Sequence, residues 1–152
     1  MSTLERIEKN LKDFAAFSTT PNEACSRLPF SKETRDGANK LKELMKDANL
    51  SVIEDGVGNI FGTRKGKDST KPAILCGSHY DSVYNGGNFD GIAGVMAAIE
   101  IAKLLDKNNV RLERDYIVAA FMDEEGTRFA TGYFGSRAVS YTHLRAHETP
   151  EH

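Results

Sequence analysis

Two apolar segments decide the fold, Ala73-Ile-Leu-Cys-Gly-Ser-His79 and Tyr116-Ile-Val-Ala-Ala-Phe-Met122. Both have the length of a β-strand, and the run Ala73–Cys76 is typical of a strand covered on both faces. Between them, residues 91–105 carry apolar side chains at helical spacing: Ile92, Val95, Met96, Ile99 and Ala102. A strand, a helix and a second strand in this order form a right-handed βαβ unit, so we expect the two strands to be parallel.

Two helices and two short strands are predicted ahead of this unit. The first helix follows from apolar residues spaced three and four apart, at Leu4, Ile7, Leu11 and Phe14. The second begins after Ser31, a suitable N-cap, and its apolar face comprises Ala38, Leu41, Leu44, Met45 and Ala48. Extended segments follow at Val52–Glu54 and Asn59–Thr63. The predicted fold class is therefore α/β, with a mostly parallel sheet flanked by helices.

Composition excludes several classes of protein. The 152 residues include 20 Lys+Arg and 22 Asp+Glu, and this net charge of −2 gives no drive toward nucleic acid or anionic lipid. The longest apolar run, Ile92–Ile99, is far below the roughly 18 residues of a membrane span. The polar N-terminus has no secretory signal, and two cysteines make no disulfide scaffold. We expect a cytoplasmic protein without nucleic-acid or membrane partners.

Five residues with metal-binding chemistry lie where the βαβ unit places its crevice. His79 and Asp81 follow the first strand, Asp90 precedes the helix, and Glu124 and Glu125 follow the second strand. The carboxyl ends of parallel strands meet at one edge of a sheet. An imidazole and several carboxylates suit zinc, and manganese or cobalt would also fit. Of two adjacent glutamates, one can bind metal while the other accepts a proton from water.

Each of these residues also has an interpretation without metal. A histidine at a strand end is commonly a surface residue, an aspartate before a helix is commonly its N-cap, and Asp123-Glu-Glu-Gly126 is commonly an acidic turn. Their joint position at the ends of neighbouring strands favours a metal site. Cys76 lies in apolar surroundings that suppress the thiolate, so we assign it to core packing.

Three motifs resemble the signatures of one enzyme group: Gly77-Ser-His-Tyr-Asp-Ser-Val83, Asn85-Gly-Gly-Asn-Phe-Asp-Gly91 and Asp123-Glu-Glu-Gly-Thr-Arg-Phe129. The group is that of the zinc amidohydrolases, which includes N-carbamoyl-L-amino-acid hydrolase, allantoate amidohydrolase and microbial β-ureidopropionase, among the aminoacylase-like and dipeptidase-like metallohydrolases. The leader is also similar to theirs, at Phe17–Pro21, Arg27–Ser31 and Glu54–Asn59. The resemblance covers residues 3–139 and implies an incomplete zinc-exopeptidase-like catalytic domain.

The resemblance implies a role for each candidate residue. His79 resembles a ligand of one zinc ion, Asp90 the carboxylate that bridges two, and Glu125 a ligand of the second. Glu124 resembles the general base toward a zinc-activated water, and Asp81 the carboxylate that fixes the His79 tautomer. The implied reaction is metal-assisted hydrolysis of linear C–N bonds in small ureido or N-carbamoyl amino acids or allantoate.

The family pattern stops near Val139, and the resemblance calls for more sequence beyond it. Members complete the site with two later histidines and carry a separate domain that dimerises and helps to hold substrate. We therefore expect residues 1–139 to be the N-terminal portion of a catalytic domain and residues 140–152 to be a non-native tail. His143 and His147 have the spacing of two ligands on a helix, but Leu144 stands where a zincin carries its catalytic glutamate.

This truncation has three expected consequences. Each zinc ion would lack a protein ligand, the activity of this chain is in doubt, and the homodimer that the resemblance implies would lack its dimerising domain. One side of the sheet would expose an edge and apolar surface. The substrate-binding residues are unknown, because the resemblance implies that most of them belong to the absent part. Arg128 is a candidate contributor, but it is better explained as a local ion-pair partner. The alternatives are a peptidase or N-acyl amino acid deacylase of the same fold, and an inactive remnant.

Overall fold

A computed structural model describes the backbone of residues 1–20 and 23–145 and the side chains of this part as far as residue 140. The elements are α1 (Thr3–Ala15), α2 (Lys32–Lys46), β1 (Ser51–Glu54), β2 (Ile60–Arg64), β3 (Ile74–His79), α3 (Ile92–Lys107), β4 (Tyr116–Phe121) and α4 (Phe134–Arg145). The α/β class is confirmed, with α2 packed against β1 and β2, and α3 against β3 and β4. Among the described residues, no helix is both long and apolar enough to cross a membrane.

The strands form one sheet in the order β1-β2-β4-β3. β3 and β4 are parallel, with Ile74 opposite Tyr116 and His79 opposite Phe121, which confirms the predicted βαβ unit. The expectation of a mostly parallel sheet is wrong for the described strands, because the β1–β2 and β2–β4 pairs are antiparallel. The physical reason is the connection: a short loop joins β1 to β2 as a hairpin, whereas a parallel pair needs a crossover such as α3.

The predicted helical faces form most of the core. All five residues of the α3 stripe are buried, as is the whole predicted face of α2. Ser31 caps α2 by accepting a hydrogen bond from the Thr34 N–H at 3.2 Å. The predicted amphipathic helix α1 is confirmed, although its apolar face is only partly covered: Phe14 is buried, Leu11 packs half-buried against the core, and Leu4 is 73% exposed.

β3 is an exposed edge strand, so the expectation that both of its faces are covered is wrong. Ile74 and Leu75 are 43% and 51% exposed, and Cys76 is half-buried against the core. Within the described ranges no strand pairs with the outer edge of β3. This exposed edge confirms the expectation that the chain leaves apolar surface uncovered on one side of its sheet.

Asp115, just before β4, holds the loop that follows β2. Its carboxylate accepts hydrogen bonds from the Lys65 ammonium (2.8 Å), the Gly66 N–H (2.8 Å) and the Ser69 hydroxyl (2.7 Å). These bonds lower the pKa of Asp115 from 3.8 to about 2. Because the pKa is lower in the folded state, the carboxylate stabilises the fold above about pH 4, and this contribution is lost as the pH falls through about 2.

We therefore expect Asp115→Asn to lower the free energy of unfolding more at pH 7 than at pH 2. Urea denaturation at both pH values measures the difference. An equal loss at pH 7 and pH 2 would show that the ionised form of Asp115 contributes nothing.

α4 has no counterpart among the helices predicted from sequence. Its first residues are joined to the end of β4, since the Phe134 and Gly135 N–H groups donate to the Asp123 and Met122 carbonyls at 3.0 and 2.9 Å. Residues 146–152, and with them His147 and His152, lie outside the described residues, as do Pro21 and Asn22. The non-native origin of residues 140–152 stays a prediction, which resequencing the source DNA across the codons for residues 138–141 tests.

Candidate metal centre

The parallel pairing of β3 and β4 brings the predicted residues together. His79 ends β3, and the chain turns after Phe121 into the loop that carries Glu124 and Glu125. The Nε2 atom of His79 lies 3.7 Å from a Glu124 carboxylate oxygen. One ligand atom from each of His79, Glu124 and Glu125 lies within 4.8 Å of the others, a spacing that one metal ion can span.

Asp90, just before α3, lies near the same atom of His79 as Glu124 does. Its Oδ1 atom is 3.6 Å from the Nε2 of His79, although Asp90 is not a member of the group of three. The N-cap of α3 is Gly91, and no side chain makes a capping hydrogen bond there. Asp90 therefore does not serve as a helix cap, and its carboxylate is left facing His79.

Asp81 contacts three members of the cluster, His79, Glu124 and Glu125. It is fully buried, and its carboxylate accepts hydrogen bonds from the N–H groups of Glu124 (3.1 Å) and Glu125 (3.4 Å). The Nδ1 of His79 lies 3.2 Å from the Asp81 carbonyl oxygen and 3.6 Å from its Oδ1. A proton on Nδ1 would be held on this side, which leaves the Nε2 lone pair for the cleft.

Glycine at position 91 allows the close approach of α3 to His79. Gly91 has a φ of 65°, a left-handed conformation that disfavours other residues. A Cβ atom at this position would lie 2.5 Å from the His79 ring. One turn later, a Cβ at Gly94 would lie 2.8 Å from the Cβ of Ser78. The first turn of α3 thus packs directly on the end of β3.

The cluster carries more negative than positive charge. Burial opposes the charged form of His79, but the carboxylates of Asp81, Glu124 and Asp90 outweigh it and raise the pKa of His79. Desolvation raises the pKa of Glu125, and nearby Asp90 and Glu124 raise it further against the opposing effect of His79. Crowded carboxylates around one imidazole are stabilised when a cation enters, so the electrostatics suit a divalent ion.

Sequence reasoning missed two buried charged residues behind the cluster. Asp123 has a φ of 54°, and neither of its buried carboxylate oxygens has a hydrogen-bond partner of normal geometry in the described part. Desolvation and the charge of Asp81 raise the pKa of Asp123. The other residue is Arg27, which is 1% exposed. Its position within the leader motif is the sole sequence signal that singles it out.

Comparisons with known proteins agree with this geometry. Residues 59–149, more than half of the chain, match peptidase family M28. An N-carbamoyl-L-amino-acid amidohydrolase of Paenarthrobacter aurescens is 43% identical over 136 residues, which cover 90% of this chain and 33% of that protein. An allantoate amidohydrolase of Bacillus subtilis is 32% identical, with the same two coverages. The chain thus spans about a third of the length of these relatives.

A solved structure supports the same assignment. A hydantoinase/carbamoylase family amidase from Burkholderia ambifaria superimposes with a TM-score of 0.86 at 32% identity, over 91% of this chain and 34% of that one. A zinc-dependent exopeptidase structure from Bacteroides vulgatus, at 21% identity and a TM-score of 0.65, shares the fold. Sequence match, fold and the cluster at the β3 and β4 ends lead to one conclusion: the chain belongs to peptidase family M28.

Proposed function

We propose that this chain is the N-terminal portion of a zinc-dependent hydrolase that cleaves linear C–N bonds in N-carbamoyl amino acids or allantoate. The observation that carries the proposal is the convergence of His79, Asp90, Glu124 and Glu125 at one edge of the sheet. The relatives named for N-carbamoyl amino acids and for allantoate support the substrate class.

The donor set fits a divalent metal. In our assignment His79, Asp90 and Glu125 hold the metal, and zinc suits one imidazole and two carboxylates, with manganese or cobalt as substitutes. When bound, the ion would supply Lewis acidity, which lowers the pKa of water and stabilises negative charge on the substrate carbonyl oxygen.

Glu124 is the candidate proton carrier. Its side chain is 29% exposed and reaches the His79 ring at 3.7 Å, so it borders both the cluster and solvent. Its carboxylate would accept a proton from the attacking water and return it to the departing nitrogen. Asp81 supports both His79 and Glu124. Its carbonyl oxygen lies 3.2 Å from the His79 Nδ1, and its carboxylate accepts a hydrogen bond from the Glu124 N–H.

The exchange Glu124→Gln tests this division of labour. Glutamine keeps the size of the side chain but cannot accept the proton, so we expect turnover to fall on the order of 100-fold or more while metal content persists. Steady-state rates and metal analysis measure both, on one preparation of a protein that also contains the sequence corresponding to the other two thirds of the relatives. If Glu124→Gln loses metal as readily as Asp90→Ala does, Glu124 is itself a metal ligand. The assignment of Glu125 as the only glutamate that binds the metal would then be wrong.

The partial length of the chain bears on the rest of the proposal. Residues 1–139 supply three metal ligands, and we propose that the remaining ligands, the substrate-binding residues and the dimerising domain belong to sequence that corresponds to the other two thirds of the relatives. Metal binding by this chain alone is then weak. A cytoplasmic location stays a prediction.

A second candidate function is peptide hydrolysis, which the family match favours. Zinc stoichiometry and rates on N-carbamoyl amino acids, allantoate and dipeptides separate the two, when measured on a protein that also contains the sequence corresponding to the other two thirds of the relatives. Bound zinc with hydrolysis of the ureido substrates supports the proposal. Turnover of dipeptides alone replaces it with the peptidase, and absence of both zinc and turnover identifies an inactive remnant.

A further inference from the structure

Arg27 is a buried cation whose hydrogen bonds go to carbonyl groups and a thiol, not to carboxylates. Its Nε donates to the Tyr80 carbonyl oxygen at 2.5 Å, and its Nη1 contacts the carbonyls of Phe14 and Phe17 at 3.4 and 3.3 Å. Nη1 also lies 3.2 Å from the Cys25 sulfur, and the guanidinium stacks 4.3 Å from the centre of the Phe14 ring. Fully buried arginines are rare, so this one needs a physical explanation.

The backbone of Arg27 forms hydrogen bonds with the same segment that its side chain contacts, residues 80–82. The Arg27 N–H donates to the Ser82 hydroxyl at 2.8 Å, and the Ser82 N–H donates to the Arg27 carbonyl at 2.9 Å. Side-chain and main-chain bonds therefore hold Tyr80 and Ser82, the two neighbours of Asp81. Through these contacts, residues far apart in sequence fix the segment that follows β3.

The segment held by Arg27 carries the support of the candidate metal centre. Asp81 accepts the N–H groups of Glu124 and Glu125 and faces the Nδ1 of His79. Burial lowers the pKa of Arg27, and the charge of Asp81 is among the effects that oppose this shift. A buried cation beside a fully buried carboxylate offsets the cost of burying that negative charge.

We propose that Arg27 is a positioning residue for the metal centre: it fixes the Tyr80–Ser82 segment and balances the charge of Asp81, so that Asp81 holds His79, Glu124 and Glu125 in place. The inference rests on the proposed function for its consequence, the binding of metal. The positioning itself is a property of the metal-free chain and is testable there.

Amide hydrogen exchange tests the positioning without metal. In Arg27→Met we expect the Glu124 and Glu125 amides, which donate to Asp81, to exchange at least about 10-fold faster relative to the Val118 amide in the core strand β4. Arg35→Met is the matched control, because the Arg35 guanidinium pairs with Glu54 at the surface and should leave this ratio unchanged. An unchanged ratio in Arg27→Met would overturn the proposal, since it would show that Arg27 stabilises the fold as a whole.

Arg27→Lys keeps the test decisive if the methionine variant does not fold. Lysine retains the charge but lacks the fork that contacts several carbonyls at once, so we expect partial recovery of the protection. A ratio identical to that of the unsubstituted protein would contradict a need for the guanidinium.

Cobalt titration adds the functional consequence. We expect the Kd for Co²⁺ to rise roughly 10- to 100-fold in Arg27→Met, the usual effect of removing a residue that supports metal ligands. Equal affinity in the variant and the unsubstituted protein would overturn the link from Arg27 to the metal. If the unsubstituted protein binds no Co²⁺, the proposed function fails, while the exchange ratio still decides whether Arg27 positions the cluster.

Discussion

Replacing Asp90 by alanine is expected to weaken the binding of a divalent cation by about 100-fold or more. Replacing a supporting residue alone typically costs 10- to 100-fold, and a carboxylate that binds the ion directly should cost at least as much. The Asp90 carboxylate is 3.6 Å from the Nε2 of His79, and its side chain is 56% exposed. Its removal takes no hydrogen-bond partner from the core, so the free energy of unfolding should change by about 0.5 kcal/mol or less.

Co²⁺ titration followed by visible absorption measures the affinity, and urea denaturation checks the fold. Asp36→Ala is the matched control, because Asp36 is an exposed aspartate that pairs with Lys32 on α2. The control should bind Co²⁺ as the unsubstituted protein does. An Asp90→Ala variant that binds Co²⁺ with unchanged affinity would remove Asp90 from the ligand set.

Gly77→Ala is expected to destabilise the fold by about 3 kcal/mol, the upper end of the usual cost of overpacking. Gly77 lies opposite Ala119 in the parallel pair of β3 and β4. A Cβ atom at Gly77 would point into the Ala119 carbonyl group, well inside van der Waals contact. Backbone atoms of a central strand cannot move aside as a flexible side chain can, so β3 must shift away from β4.

Because His79 lies two residues beyond Gly77 in β3, we expect the same variant to bind Co²⁺ more weakly. Gly56→Ala is the control, since nothing lies within 4 Å of a Cβ at Gly56. Urea denaturation should show a change of about 0.5 kcal/mol or less for the control. Similar stability of both alanine variants would mean that β3 does not pack on β4 as closely as the structure has it.

Local sequence patterns predicted the central unit because its signals are local. The helical spacing from Ile92 to Ala102 and the two apolar segments around it depend on residues a few positions apart. The exposure of Leu75 could not be predicted in this way. An apolar run indicates that a strand is covered, but it does not indicate whether the covering segments are part of the chain.

The candidate site was predictable as a set of residues and not as a set of contacts. Topology alone places His79 and Glu124 at one edge, because parallel strands end on the same side. The hydrogen bond from the Glu124 N–H to the Asp81 carboxylate joins residues that are 43 positions apart. The hydrogen bond from the buried Arg27 side chain to the Tyr80 carbonyl joins residues that are 53 positions apart. Such contacts leave no periodic signal in the sequence, and they emerge once the chain is folded.

X-ray absorption at the zinc edge is the most direct test of the central claim that His79 and its neighbouring carboxylates hold the metal. The spectrum of the zinc-loaded protein should show imidazole scattering together with oxygen ligands and no sulfur, and the imidazole contribution should vanish in His79→Ala, through loss of either that ligand or the zinc itself. Sulfur scattering, or imidazole scattering that persists in His79→Ala, would contradict the account and place the zinc on the cysteines or on other histidines.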